Sequence, residues 1–269
     1  MSQSTDSRPI GIFDSGLGGL TLLTAIHNII EQENIIYLAD TARLPYGIKS
    51  EATVTDYSIS NVELLLKENV KCIVVACNTA SAYALDHLKK RFTIPIIGVI
   101  DSGVARAVKV SDGSIGVIGT ESTIRSNIYE RLIKDADSKI KVYSKACPLF
   151  VPLVEEGWVD NEITRLIAKK YLTDFQGKVD TIILGCTHYP HLRGTIGKLL
   201  GSNITLVDSA NETAKLLKEQ LIAKSLLSNS SEEGQIIINV TDSPERTLKV
   251  AKRFTQDKIK IDSLKLVNI

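Results

Sequence analysis

Two cysteines stand where a thiol could do chemistry. The segment VKCIVVACNT at residues 70–79 and the segment VDTIILGCTH at 179–188 share one plan. Each has a polar entry, an apolar strand, a small residue, a cysteine, and then hydrogen-bonding side chains. Cys77 and Cys186 thus hold matched positions between a strand end and a helix start. A free thiol titrates near about 8.5, and a helix N-terminus or a nearby cation lowers that value. The outward N–H groups of a helix start favour the anion. A matched pair of such groups suits the exchange of a proton between opposite faces of one carbon. One thiolate accepts, the other thiol donates, and the roles reverse for the opposite configuration. The carbanion between them needs preorganised donors. Ser15 and the GLGG turn at 16–19 offer them at a helix start. Asn78 and Thr79 follow one cysteine, and Thr187 and His188 follow the other. Asp14 could orient Cys77 or a substrate ammonium, and His188 could do the same for Cys186.

The other reactive side chains have plainer readings. Cys72, inside a strand, and Cys147, before Pro148, read as small buried hydrophobes. Cys186, His188 and His191 form a C-x-H-x-x-H string, but Pro190 interrupts it and a fourth ligand is missing, so no metal is expected. Asp14 could equally cap the turn that follows it. His27 and His87 read as surface or core residues on helices, and Trp158 as packing. The GLGG turn is not G-x-G-x-x-G, since position 21 is threonine, and no G-x-x-x-x-G-K-[ST] occurs. No lysine carries a mark of pyridoxal attachment. No cofactor is expected.

These residues must be held by alternating strands and helices. Strands are expected at residues 10–13, 35–39, 72–76, 94–100, 114–118, 139–144, 181–184, 204–207 and, last, 235–240. Helices are expected at 18–30, from Ser50 as N-cap through 67, and at 79–91, 121–134, 161–175, 191–200, 211–223 and 245–254, with a short turn or helix at 148–156. Strands apolar along their whole length, separated by helices, indicate parallel sheets covered on both faces. The class is α/β. The cysteine segments repeat at domain scale, and IGIFD at 10–14 faintly matches IGVIG at 115–119. The expected architecture is two similar three-layer α/β domains with mostly parallel sheets, related by a pseudo-two-fold, with the active site in the cleft between them. The first domain takes residues 1–97 plus 208–269 and carries Cys77; the second takes 98–207 and carries Cys186. Ligands of open α/β sheets bind beyond the carboxyl ends of the strands, where both cysteines lie.

Bulk properties narrow the partners. The chain has 269 residues, 43% hydrophobic and 23% charged, with a formal net charge of +1. That balance gathers neither nucleic acid nor anionic membrane. The polar opening MSQSTDSRP has no apolar core, and apolar runs stay far short of the roughly 20 residues of a spanning helix. A cytoplasmic protein with four free thiols is expected.

The motifs DSGLGG at 14–19, ADTARLPYG at 39–47, ACNTAS at 76–81, CPLFVPLVEEG at 147–157 and GCTHYP at 185–190 together resemble the glutamate racemases of the aspartate/glutamate racemase superfamily. The likeness runs from about residue 10 to about residue 216, in the family's order and spacing. The resemblance implies two α/β domains, no cofactor, and interconversion of L- and D-glutamate to supply D-glutamate for peptidoglycan. It marks Cys77 and Cys186 as the catalytic pair, with Asp14 and His188 beside them and Glu155 as an assisting carboxylate. It implies substrate contacts from Asp14, Ser15, Tyr46, Gly47, Asn78, Thr79, Thr187 and His188, with Pro45 shaping the loop. It also implies a homodimer. Aspartate is one methylene shorter, and such a difference is worth only about 1–3 kcal/mol. An aspartate racemase is therefore the neighbouring alternative. A non-catalytic amino-acid binding module would also suit two lobes, but gives no reason for matched cysteines.

Overall fold

The computed structural model describes residues 6–255 and 258–269; the MSQST opening lies outside them. The chain divides into two compact units, one running up to Val99 and resuming at Ala210–Ile269, the other Ile100–Ser209. The first unit begins with β1 (Ile10–Asp14), α1 (Leu20–Ile29), β2 (Ile35–Ala39), α2 (Glu51–Lys67), β3 (Cys72–Val75), α3 (Asn78–Tyr83), α4 (Leu85–Arg91) and β4 (Ile96–Gly98). The second holds α5 (Ile100–Val110), β5 (Ser114–Gly119), α6 (Glu121–Arg125), α7 (Ile128–Ala136), β6 (Lys141–Ala146), α8 (Phe150–Glu155), α9 (Glu162–Leu172), β7 (Thr181–Gly185), α10 (Arg193–Leu200) and β8 (Thr205–Val207). The chain then returns with α11 (Ala210–Ala223), β9 (Ile236–Val240), α12 (Pro244–Thr255) and β10 (Ser263–Leu266).

The first sheet runs β10-β9-β2-β1-β3-β4 and the second β6-β5-β7-β8. Every pairing among the described residues is parallel. β1, β2, β3 and β7 are buried along their whole length, as strands covered on both faces must be. In the first unit α1 packs against α11 and α12, and α2 against α3 and α4. Phe13, Leu38, Val54, Val62, Val75 and Leu88 share one core cluster. In the second unit α5 packs on α7, and α9 on α10. In each sheet the first strand lies between the next two. The chain steps to one side and then crosses to the other, which opens a crevice at the carboxyl ends of β1 and β3, and of β5 and β7. That equivalence of β1 with β5 and β3 with β7 is the order in which the two sequence echoes occur.

Local differences from the sequence reading have local causes. The strand expected over 94–100 is confined to β4, and Ile100 instead opens α5. The buried residues Ile100, Val104 and Ala107 of α5 follow helical spacing, but the β-branched run before them masks it. The helix expected over 79–91 breaks at Ala84 into α3 and α4. That over 121–134 breaks at Asn127, whose φ of 55° is left-handed. Position 240 does not end the sheet: β10 pairs with β9 at the edge, its four residues only partly covered. Ser50 does cap α2, accepting from the Thr53 N–H.

Candidate active site

In the first unit the site forms at the crevice between β1 and β3. Asp14 ends β1 and is fully buried. Its Oδ2 accepts the Gly19 N–H at 3.0 Å, which closes the turn. Only glycine fits at 19: a Cβ there would come within 2.8 Å of the Ala76 Cβ, 2.8 Å of the Tyr37 hydroxyl and 3.0 Å of the Asp14 Cβ. The buried Tyr37 hydroxyl donates to the Gly16 carbonyl at 2.8 Å and holds the same turn from below. Burial, then the negative charges of Asp14 and Cys77, keep that phenol protonated. Cys77 follows β3 and caps α3, its carbonyl accepting from the Ser81 N–H. Its thiol lies 3.6 Å from the Ser15 Oγ. Asn78 and Thr79, buried, form the first positions of α3.

Pro45 is exposed, while Tyr46 and Gly47 are buried in a 3-10 turn, Tyr46–Ile48, that packs on α3. The Tyr46 hydroxyl is engaged inside the unit. It donates to Asp40 and accepts from the Asn61 Nδ2 at 3.0 Å. Burial and the Asp40 carboxylate hold it above the ordinary tyrosine range. The Tyr46 phenol is therefore committed to Asp40 and Asn61.

In the second unit Cys186 follows β7 and leads into a turn and a 3-10 helix, Tyr189–Leu192, before α10. Gly185 must be glycine: a Cβ would meet the Ile118 carbonyl at 2.8 Å. The Cys186 Sγ lies 3.8 Å from His188 Nδ1, and Thr187 Oγ1 lies 3.4 Å from the same nitrogen. His188 Nε2 lies 3.4 Å from the Glu155 Oε1. Burial alone would push this ring toward neutrality. The hydrogen bonds and charges of Cys186 and Glu155 outweigh it, and His188 is raised from 6.5 to about 10. The two ring nitrogens of His188 thus face a sulfur on one side and a carboxylate on the other. Glu155, at the end of α8, makes that contact; the adjacent Glu156 is exposed. Burial and then the charge of His188 push His191 down to about 4. Among the described residues no three His, Cys, Asp or Glu side chains gather as metal ligands.

The remaining cysteines lack such partners. Burial pushes Cys72 up to about 12 and raises Cys147 as well. Cys147 serves through its carbonyl, which accepts from the Tyr189 hydroxyl at 2.8 Å. Trp158 is half exposed instead of packed. The sequence reading passed over Thr120, Ser122 and Thr123, three buried hydroxyls directly after β5. The pairing of Gly119 with Gly185 sets Thr120 beside the start of the Cys186 turn. The second echo held the signal: with Gly119 matched to Asp14, Thr120 matches Ser15.

The family described as Asp/Glu/Hydantoin racemase matches residues 15–217. A glutamate racemase of Geobacter metallireducens is 49% identical over 254 residues, 94% of each chain. The chain belongs to the Asp/Glu/hydantoin racemase family. The crystal structure of the Francisella tularensis glutamate racemase, in complex with D-glutamate, superposes with a TM-score of 0.91 at 39% identity, covering 98% of each chain. The Thermus thermophilus glutamate racemase, in complex with β-chloro-D-alanine, gives 0.89 at 39% identity over 99% of each chain. Each unit of this racemase offers one thiol near a hydroxyl and a carboxylate at a sheet switch point. Among the described residues, no helix is long and apolar enough to cross a membrane.

Proposed function

We propose that the chain is a glutamate racemase that inverts the α-carbon by two-base proton transfer between Cys77 and Cys186, without a cofactor. One thiolate takes the α-proton as the C–H bond breaks, and the electron pair moves into the α-carboxylate. The other thiol gives its proton to the opposite face. Both sulfurs then hold the reverse protonation states, ready for the other enantiomer. Asp14 and Ser15 serve the Cys77 side; His188, with Glu155 behind it, serves the Cys186 side. Asn78, Thr79, Thr187 and the backbone of 45–47 hold the substrate. The thiols belong to separate units, Cys77 to the one that runs up to Val99 and resumes at Ala210, and Cys186 to Ile100–Ser209. The D-glutamate made this way supplies peptidoglycan synthesis in the cytoplasm, and the enzyme works as a homodimer.

The observation that carries this reading is the repetition of one half-site. The run β2-β1-β3-β4 of the first sheet repeats in β6-β5-β7-β8 of the second, and in each a cysteine beside proton-holding groups comes just after the crossing strand. A binding module needs no such matched thiols. The glutamate assignment is supported by the relative at 49% identity and by the D-glutamate complex of the Francisella protein. The test is polarimetry on each enantiomer of glutamate and of aspartate with no cofactor added. Loss of rotation with glutamate and little with aspartate is expected. Faster racemisation of aspartate overturns the substrate, and no change with either overturns the activity.

A further inference from the structure

Two stretches remote in sequence are stitched together at the carboxyl ends of β2 and β9. The Thr241 N–H donates to the Ala39 carbonyl at 3.2 Å. The Thr241 hydroxyl donates to Asp40 Oδ1 at 3.2 Å and accepts the Ala42 N–H at 2.9 Å. One residue further on, the Thr41 hydroxyl donates to the Asp242 carbonyl and accepts the Asp242 N–H, both at 2.8 Å. The stitching continues through Asp40, which is fully buried. Its Oδ2 accepts from Arg43 Nε at 2.7 Å and from the Tyr46 hydroxyl. Ala42, Leu44 and Pro45 are exposed. The segment between β2 and the 3-10 turn is held on one side by Arg43, whose guanidinium reaches the Asn61 Oδ1 at 3.0 Å and lies over the Tyr57 ring, and on the other by the Thr41 and Thr241 bonds.

We infer that Thr241 is a positioning residue for the backbone of 45–47, acting through Asp40. This rests on the reading of that backbone as a substrate contact. The C-terminal return of the chain then does more than complete a sheet. It sets how well the loop grips the substrate. Thr241 lies beyond residue 217, where the family match ends. Removing its hydroxyl frees the exposed Ala42 N–H to water and strips a partner from Oδ1 of the fully buried Asp40, where a polar group left without its partner is costly. The loop relaxes to recover those bonds. The lost hydroxyl bonds to neither thiol, and Asp40 meets Asp14 through its own backbone N–H at 3.0 Å, a bond the substitution leaves in place, so the damage falls on binding and not on proton transfer.

The experiment uses the full chain with Thr241→Val, which removes the hydroxyl at nearly constant shape, and Thr241→Ser, which keeps it. Thr241→Val should raise the KM for glutamate by about tenfold while kcat stays within about twofold. Amide hydrogen exchange across residues 41–48 should quicken in the same variant. Thr241→Ser should match the unsubstituted enzyme in both. Unchanged KM and exchange in Thr241→Val overturn the inference. So does a fall in kcat at constant KM, the signature of partial unfolding, or a serine variant as impaired as valine. If the unsubstituted chain moves no α-proton, the functional reading falls separately. The exchange comparison then decides the clasp by itself.

Discussion

Replacing Glu155 by glutamine tests the electrostatics of the Cys186 half-site. His188 is raised from 6.5 to about 10. At about 1.4 kcal/mol per pH unit, that is about 5 kcal/mol of preference for the charged ring. Cys186 and Glu155 supply it against burial, the Glu155 contact spanning 3.4 Å. The Glu155 side chain is 25% exposed, so water screens its share. One carboxylate near a cation is worth about one to three pH units, and the lower half of that range fits a screened partner. Glu155→Gln should therefore bring the His188 midpoint down by about one to two pH units. The sign for stability follows. A raised folded value stabilises below pH 6.5, and the contribution is lost as pH rises through about 10. The variant should lose stability near neutrality and little above pH 10. Histidine-selective NMR titration of the four histidines reads the midpoint directly. A midpoint in the unsubstituted enzyme near 6.5, or one that does not move in Glu155→Gln, refutes the reasoning.

Cys77→Ala and Cys186→Ala should each abolish racemisation with the fold retained by circular dichroism. Each should still eliminate HX from one enantiomer of an analogue with a β-leaving group, the opposite enantiomer in each case. Elimination is the right readout because the two enantiomers of glutamate have equal free energies, which forces kcat/KM to be equal in both directions. Gly19→Ala should cost about 1–3 kcal/mol by overpacking, whereas Gly16→Ala, whose new Cβ meets only a Leu44 methyl at 3.8 Å, should stay within about 0.5 kcal/mol; urea denaturation compares them. Lys71 and Glu33 form an ion pair at 2.5 Å with both side chains fully buried. Lys71→Met should cost about 3–5 kcal/mol because it leaves Glu33 charged and enclosed, and a further Glu33→Gln should recover part of that in the same denaturation assay.

The parallel strands were legible because burial on both faces imposes continuous apolar runs, as in IIYLA and CIVV. The candidate site residues were legible because each cysteine comes just after such a run, with hydrogen-bonding side chains adjacent in sequence. Glu155 reaches His188 only through the fold, and no local pattern separates it from Glu156. The same holds for the engagement of the Tyr46 hydroxyl by Asp40 and Asn61, and for the pairing of Lys71 with Glu33. These contacts join residues on different elements, and spacing along the chain does not encode them. α5 was hidden for another reason. Its first turn continues a β-branched run, and at such a junction two periodicities overlap.

The proposed mechanism assigns the two faces of one carbon to two separate groups. Its most direct test follows the α-hydrogen during the first few per cent of conversion of L-glutamate in heavy water. With two bases, the D-glutamate formed should carry deuterium at the α-carbon, while the remaining L-glutamate still carries protium. D-glutamate that retains the original α-hydrogen would mean that one group both removes and returns it, and would contradict the account.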